Sequence, residues 1–595
     1  MIRMKRGRKL ALGSIILLSF IIGFMGPTKI KANTSIGKKQ LDTKISSSPS
    51  TYVIVTTNAI KSNSNNLTDF IQYKESLGFT VEVITETNYT SAIGQTRVLN
   101  IRNWLIKNYE TKNIEYVLLI GDPDPDDVGD GGDSVGDVPM LMCYPRRGAG
   151  SYEESPTDYI YADLTGDWDT DNDGYHGEYG TFTQDYDVDF EAEVYVGRIP
   201  VYSADYSSLD DILVRIINHH NDTGEEKKKI LLPMAMSNYY NEDHDDDLPR
   251  TDGLDCPEYV WNDITSPNGM SDTVMYETSG LDPVMTGEFH YDMPINKTNF
   301  INELNDDYGA VFWWAHGSLN AASRKYWTTD DGDGVPESAE MTWVEFIAST
   351  DMGSLENDKP AFFYQSSCLN GMPENSNNLG YALLKQGAAI STVSASRVSW
   401  YMAGDWSPVQ NNADNTGIGF YYMYYLITSE MTTGKALFTA KDYLGNYWGA
   451  ECWMNKMDFN LYGDPSMYYW WESPPSSPSP TPISSDSGDS SGGGGDDDVE
   501  EFNIANILII SAVLIGAGVG IAVVIVIVVR KKGDLPGRDI LPPSLPPSSP
   551  TYLSEIPPSQ TINEILRIPR FCTKCGAALK VGNKFCTNCG SEIIK

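Results

Sequence analysis

Residues 311–320 read VFWWAHGSLN, and residues 361–371 read AFFYQSSCLNG. Both open as short runs of aromatic and β-branched residues with no polar alternation, the pattern of a strand buried on both faces. Both end on a side chain with proton or nucleophile chemistry, His316 in the first and Cys368 in the second. A lone histidine at the end of an apolar run reads as a core residue, and this chain has only 6 histidines to place. The repeat of the arrangement, with a cysteine in the equivalent position, changes that reading. A thiol becomes a useful nucleophile when an imidazole takes its proton, and the oxyanion formed on attack then needs backbone N–H donors. In a parallel α/β sheet the loops at the carboxyl ends of the strands converge on one crevice. Gly317, which has no Cβ, lets the backbone approach a substrate carbonyl and is the natural oxyanion donor.

Outward from these runs the chain alternates strand and helix patterns. TYVIVTT (51–57), TVEVITE (80–86), EYVLLIGDPD (115–124) and VYVGRIP (194–200) read as strands, with helices over LTDFIQYKESLGF (67–79) and RVLNIRNWLIKNY (97–109). A second series starts at KKILLPMAMS (228–237) and includes AVFWWAH, AFFYQSSC and AAISTVSAS, with a helix over NNLGYALLKQG (377–387). The alternation predicts an α/β protein of two consecutive parallel-sheet α/β subdomains, residues 51–225 and 226–472.

The motifs YVLLIGD, YIYADLTGDWD, VYVGRIP, SSCLNG and LYGDPSMYY, together with the apolar-strand–His-Gly and apolar-strand–Cys pair, resemble the gingipain-type (family C25) cysteine peptidases of the caspase-like clan. The resemblance runs from about residue 51 to 471 and implies a caspase-like second subdomain and cysteine endopeptidase activity on protein or peptide substrates. It makes Cys368 the nucleophile and His316 the general base and acid, with Gly317 and the Cys368 backbone forming the oxyanion hole. In arginine-specific members an aspartate at the base of the S1 pocket pairs with the substrate guanidinium; Asp252, in RTDG, is similar to it, and is also readable as a turn residue before Gly253. Trp400 resembles an aromatic that lines S1, and also reads as a core tryptophan. The family's third catalytic acid falls near Asn238, with Glu242 close by, so this chain departs from the pattern there.

The formal charge of −38, from 43 Lys+Arg against 81 Asp+Glu, excludes nucleic acid as a partner. Part of the acid lies in two loops patterned for calcium. DWDTDNDGYHGE offers Asp167, Asp169, Asp171, Asp173 and Glu178, and TDDGDGVPESAE offers Thr329, Asp331, Asp333 and Glu340 at the spacing of an EF-hand loop. Solvated acidic loops are the plain alternative. Cys572, Cys575, Cys586 and Cys589 form C-x2-C-x10-C-x2-C, with glycine after each pair, which predicts a Zn(II) ribbon over 571–595. Cys143, Cys256 and Cys452 leave room for at most one disulfide.

A basic n-region and the apolar stretch 10–26 read as a signal peptide over 1–32, or as an uncleaved anchor, with a linker over 33–50. A Pro/Ser/Gly/Asp-rich stalk occupies 473–503. Ile504–Val529 carries no charge and is long enough to cross a bilayer of about 30 Å; Arg530, Lys531 and Lys532 follow at once. These features predict a single-pass cell-membrane protein with an extracellular catalytic domain, a cytosolic linker over 530–570 and a cytoplasmic ribbon that binds a cytosolic partner. The expected function is a membrane-anchored extracellular cysteine endopeptidase; the competing reading is a calcium-stabilised surface adhesion protein on an inactive peptidase scaffold.

Overall fold

The computed structural model describes residues 49–470 apart from 126–134, 181–184, 186, 220–223, 283–290, 357 and 448, and two short strands, Arg570–Phe571 and Ala578–Leu579. The expected signal peptide, stalk, membrane span and cytosolic linker lie outside the described residues. Among the described residues no helix is long and apolar enough to cross a membrane.

One 11-stranded sheet organises residues up to 470. Its strands are β1 (Thr51–Val55), β2 (Thr80–Ile84), β3 (Ile114–Gly121), β4 (Tyr195–Pro200), β5 (Lys229–Met234), β6 (Ser271–Tyr276), β7 (Met293–Pro294), β8 (Ala310–Trp314), β9 (Ala361–Ser366), β10 (Ala389–Ala395) and β11 (Phe459–Tyr462). The order is β7-β6-β5-β8-β9-β10-β11-β4-β3-β1-β2. All neighbours are parallel except β10 and β11. The two expected α/β units are therefore halves of a single sheet, fused through β11, rather than two sheets. Fusion satisfies the backbone N–H and C=O groups that two separate sheets would leave on open edges. Because β11 runs against β10 and with β4, the strands of the two halves point in opposite directions.

The strands read as unbroken apolar runs because each face meets its own core. Tyr52 and Ile54 of β1 enter one core while Val53 and Val55 enter another; in β8, Phe312 and Trp314 lie on one side and Val311 and Trp313 on the other. Helices cover both faces. The helix Leu67–Ser76 stops before Gly78 at φ +95, and Leu379–Gln386 is capped by the Asn378 side chain and closed by Gly387 at φ +93.

Two motifs hold the seam of the sheet. Arg198 of VYVGRIP is fully buried and donates from Nε to Asp158 Oδ2 at 2.8 Å and from Nη1 to the Val138 carbonyl at 2.7 Å. Asp464 of LYGDPS accepts from Tyr52 Oη at 2.9 Å and from the Ser466 N–H at 3.0 Å, and pairs with the buried Lys74. The connection 122–194 carries residues from the end of β3 to the start of β4. That start lies at the same end of the sheet as the carboxyl end of β10, one strand away, because Ala395 pairs with Phe459 and Tyr462 with Arg198.

Residues 473–595 form a separate unit, in which Arg570–Phe571 pairs antiparallel with Ala578–Leu579. The cysteines of the expected ribbon lie outside the described residues.

Candidate active site

β8 and β9 are adjacent and parallel, so the residues after each emerge side by side. His316 opens a three-stranded antiparallel flap formed by His316–Ser318, Ala321–Trp327 and Met341–Ala348. Its Nε2 lies 3.0 Å from the Ser237 carbonyl oxygen. A carbonyl only accepts, so Nε2 carries the proton and Nδ1 is the basic nitrogen of the neutral ring, which the Met236 main chain also faces. Ser237 is itself fixed, because Trp314 Nε1 donates to its Oγ at 2.6 Å. Burial, and then the nearby charge of Lys325, push the His316 pKa down to about 3.

Cys368 Sγ accepts from the Ser399 N–H at 3.4 Å and faces the Ser399 carbonyl at 3.5 Å. Burial raises the thiol pKa, and the bonds from Ser399 oppose the rise. Among the described residues no hydrogen bond joins the thiol to His316. The Cys368 N–H likewise has no hydrogen-bond partner there, whereas the next N–H, of Leu369, donates to Arg397 O at 2.8 Å. Leu369 holds φ +62, a left-handed conformation that a γ-branched residue adopts only under constraint. Gly317 meets Cys368 directly: a Cβ at 317 would fall 2.0 Å from the Cys368 carbonyl oxygen and 2.7 Å from its nitrogen. Buried Asn370 ties the two loops together by donating to Ser318 O at 2.7 Å and Ala321 O at 3.0 Å. The structure thus brings His316, Gly317 and Cys368 to one place.

The expected third members sit elsewhere. Asn238 donates to the Pro249 carbonyl at 2.5 Å and accepts from Tyr401 Oη at 3.1 Å. Glu242 is bound to the buried Lys325 at 2.6 and 2.8 Å and accepts the Tyr239 N–H at 2.9 Å. The partner of the imidazole is the main chain of Ser237, a contact without a side-chain signature in sequence.

Asp252 is nearly buried and already engaged. It accepts from Tyr276 Oη at 2.7 Å, Arg250 Nε at 3.2 Å and the Leu254 N–H at 3.1 Å. An internal guanidinium thus already meets this carboxylate, which also holds the turn at Gly253. Trp400 is half-buried under Arg146, whose guanidinium carbon lies 4.3 Å from its ring centre, and donates from Nε1 to Met454 Sδ at 3.5 Å. A cavity of about 650 Å³ opens next to Cys368, lined among others by Leu369, Val398, Arg397, Tyr152, Glu153 and Glu154; neither Asp252 nor Trp400 lines it.

In the first acidic loop the carboxylates of Asp169, Asp171 and Asp173 lie within 4.8 Å of one another. Asp167 turns to accept the Asp169 N–H at 3.2 Å. Glu178 is fully buried, with Oε1 3.0 Å from Arg147 Nη1 and Oε2 without a partner. In the second loop Asp331 and Glu340 gather with Asp330, while Asp333 joins His244 and Glu337 in a different cluster and Thr329 is exposed. Gly332 at φ +110 and Gly334 at φ +75 make that turn, in which Asp330 accepts both glycine N–H groups, so the EF-hand register over 329–340 is not kept. Cys143, Cys256 and Cys452 are buried free thiols, with no disulfide among them.

Residues 45–470 match the sequence model of peptidase family C25, and residues 571–593 match that of a zinc-ribbon domain. The protein is a cysteine-type endopeptidase. It belongs to peptidase family C25. No curated protein matches the chain. Among solved structures it is similar to the Arg-specific cysteine proteinase gingipain R (RgpB), at 16% identity over 72% of this chain and 81% of that one, with a TM-score of 0.49. It is also similar to a complex of Porphyromonas gingivalis RgpB pro- and mature domains, at 15% identity over 71% and 81%, with a TM-score of 0.46.

Proposed function

We propose that this endopeptidase works through a neutral His316–Cys368 dyad and an acyl-thioester, is anchored in the cell membrane with its catalytic unit outside, and prefers Arg or Lys at P1. The observation that carries the chemistry is the contact between the Gly317 and Cys368 backbones beside an imidazole whose Nε2 is held by the Ser237 carbonyl. The depressed imidazole and raised thiol pKa values favour the uncharged pair at neutral pH, so attack and proton transfer go together. Cys368 Sγ bonds to the scissile carbonyl carbon as its proton passes to His316 Nδ1, and the oxyanion is received by the N–H groups of Cys368 and Gly317. Collapse breaks the C–N bond, and His316 returns the proton to the leaving amine. His316 then takes a proton from water, whose oxygen attacks the thioester and releases the acid and the thiol.

The P1 preference rests on charge in the cavity. Arg397 is shared by two carboxylates, with Nη2 3.1 Å from Glu154 and 2.5 Å from Glu374. Glu153 is held only by the N–H groups of Gly148 and Gly150, which leave its charge uncancelled. Arg147, which also lines the cavity, is taken up by Asp173 and Glu178, so Glu153 is the carboxylate left to meet a basic side chain, in the role first expected of Asp252.

The charge-free run 504–529 between DDDVEE and Arg530–Lys532 supports the anchor and its orientation. Calcium binding at Asp169, Asp171 and Asp173 is supported by their mutual approach, and the C-x2-C-x10-C-x2-C spacing with the zinc-ribbon match supports zinc in the ribbon, whose cytosolic face would take a protein partner. The deciding experiment is covalent labelling by a peptidyl acyloxymethyl ketone ending in Arg, with Cys368→Ala and His316→Ala alongside. Loss of labelling in both variants is expected; labelling that survives Cys368→Ala refutes the assignment.

A further inference from the structure

Trp343 is 55% exposed, yet its ring centre lies 4.7 Å from that of His316, at 68° between the planes. A tryptophan that carries a large apolar area is seldom left half in water without a use for that area. The flap explains its position. Lys325 pairs with Trp343, Ser323 with Glu345, and His316 with Ser323, so these side chains share one face. The indole shields the imidazole and the buried Lys325 Nζ, 5.7 Å from its ring centre, and leaves the rest of its surface beside the reacting atoms.

The chemistry fixes which half of a substrate meets that surface. His316 protonates the amine that departs, so the leaving half lies on the imidazole side of Cys368. The acyl half lies on the other side, where Sγ contacts Ser399 and where Leu369 and Val398 open into the cavity. Trp343 is not part of that cavity lining. We infer that Trp343 is the wall of a prime-side subsite that takes an apolar or aromatic side chain of the P1′ residue, and that exposed Glu345 on the same face disfavours an acidic one. The inference rests on the dyad reading above.

The test uses the intact protein and peptides identical except at P1′, which is Gly, Leu, Phe or Asp. The wild type is expected to cleave the Phe and Leu peptides about tenfold faster in kcat/KM than the Gly peptide, and the Asp peptide more slowly. In Trp343→Ala the Phe-to-Gly ratio should fall to near one, and Trp343→Phe should restore most of it. Glu345→Gln should narrow the penalty on Asp. A loss of activity that leaves the Phe-to-Gly ratio unchanged would make Trp343 a support for His316 and overturn the subsite, as would a wild type indifferent to P1′. Turnover that survives Cys368→Ala is the separate outcome that removes the dyad reading, and the subsite with it.

Discussion

Replacing Gly317 with alanine puts the geometry of the site under direct strain. The new Cβ falls 2.0 Å from the Cys368 carbonyl oxygen, whereas ordinary contact begins near 3.4 Å, so the two chains must part by about 1.4 Å. Neither side gives easily. The flap is clamped by Asn370, and the imidazole by the Ser237 carbonyl. The cysteine loop is held by Ser399 and by the Leu369 N–H on Arg397 O. The displacement therefore opens the space between nucleophile, base and oxyanion donors, where an error of about 1 Å costs on the order of a hundredfold in rate. Overpacking of this kind also destabilises by about 1–3 kcal/mol. Two rates should be compared with the wild type: kcat/KM on an Arg-P1 peptide, and alkylation of Cys368 by iodoacetamide, which uses the thiol but no oxyanion hole. Expected is a fall of about two decades in the first and a much smaller fall in the second. Peptide cleavage within about threefold of the wild type, at an unchanged melting temperature, would refute the contact.

Asp252→Ala should lower the melting temperature and reduce cleavage of Arg and neutral P1 substrates alike, because Arg250, Tyr276 and the Leu254 turn lose their acceptor; a loss confined to Arg substrates would return Asp252 to S1. Asp458 is fully buried and its pKa is raised to about 8, chiefly by desolvation, with the bond from Ser155 opposing. Between the unfolded value near 4 and about 8 the folded state holds the extra proton, so this group's contribution to stability falls as pH rises. Asp458→Asn should accordingly flatten the melting temperature between pH 5 and 8, with the larger gain at pH 8; an equal shift at both pH values refutes that titration. Calcium at 100 times its dissociation constant should stabilise by about 2.7 kcal/mol, an effect removed by Asp171→Asn, and a melting temperature indifferent to chelation excludes the Asp169–Asp171–Asp173 site. Protease added to intact cells should digest residues 33–500 and spare the ribbon; the reverse pattern overturns the orientation.

The strands and the pair His316–Cys368 were legible in sequence because their signals are local: an apolar run sets the strand, and a reactive side chain marks its end. Fusion of the halves was not, since β11 is four residues long and its antiparallel pairing with β10 depends on contacts far apart in the chain. The anchor of His316 was illegible for a different reason. Any residue supplies a carbonyl, so the family pattern pointed to Asn238 and Glu242, while the structure sets the imidazole against the main chain of Ser237. Asp252 shows the converse limit, a carboxylate whose partners, Arg250 and a tyrosine of β6, are set by the fold and not by its local sequence. In the second acidic loop Gly332 and Gly334, both at positive φ, decide which aspartates meet.

The opposed direction of the two halves bears on how they share the work. The carboxyl ends of β1 to β4 open away from Cys368, so the first half cannot reach the site by the loops that usually build one in an α/β sheet. It reaches the site through the connection 122–194, which brings Tyr152, Glu153 and Glu154 to the cavity. That connection is fastened across the seam: Asp158 holds Arg198 of β4, the Asp158 N–H donates to Asn460 Oδ1 at 2.9 Å, and Ser155 Oγ donates to Asp458. Glu154 then meets Arg397, two residues before the Ser399 that contacts the thiol. On the proposed reading the second half supplies the chemistry and the leaving-side wall, while the first half supplies the charge that selects the acyl side. On that reading buried polar contacts at β11 join selection to chemistry, and charge buried at a seam between two otherwise apolar cores has a use.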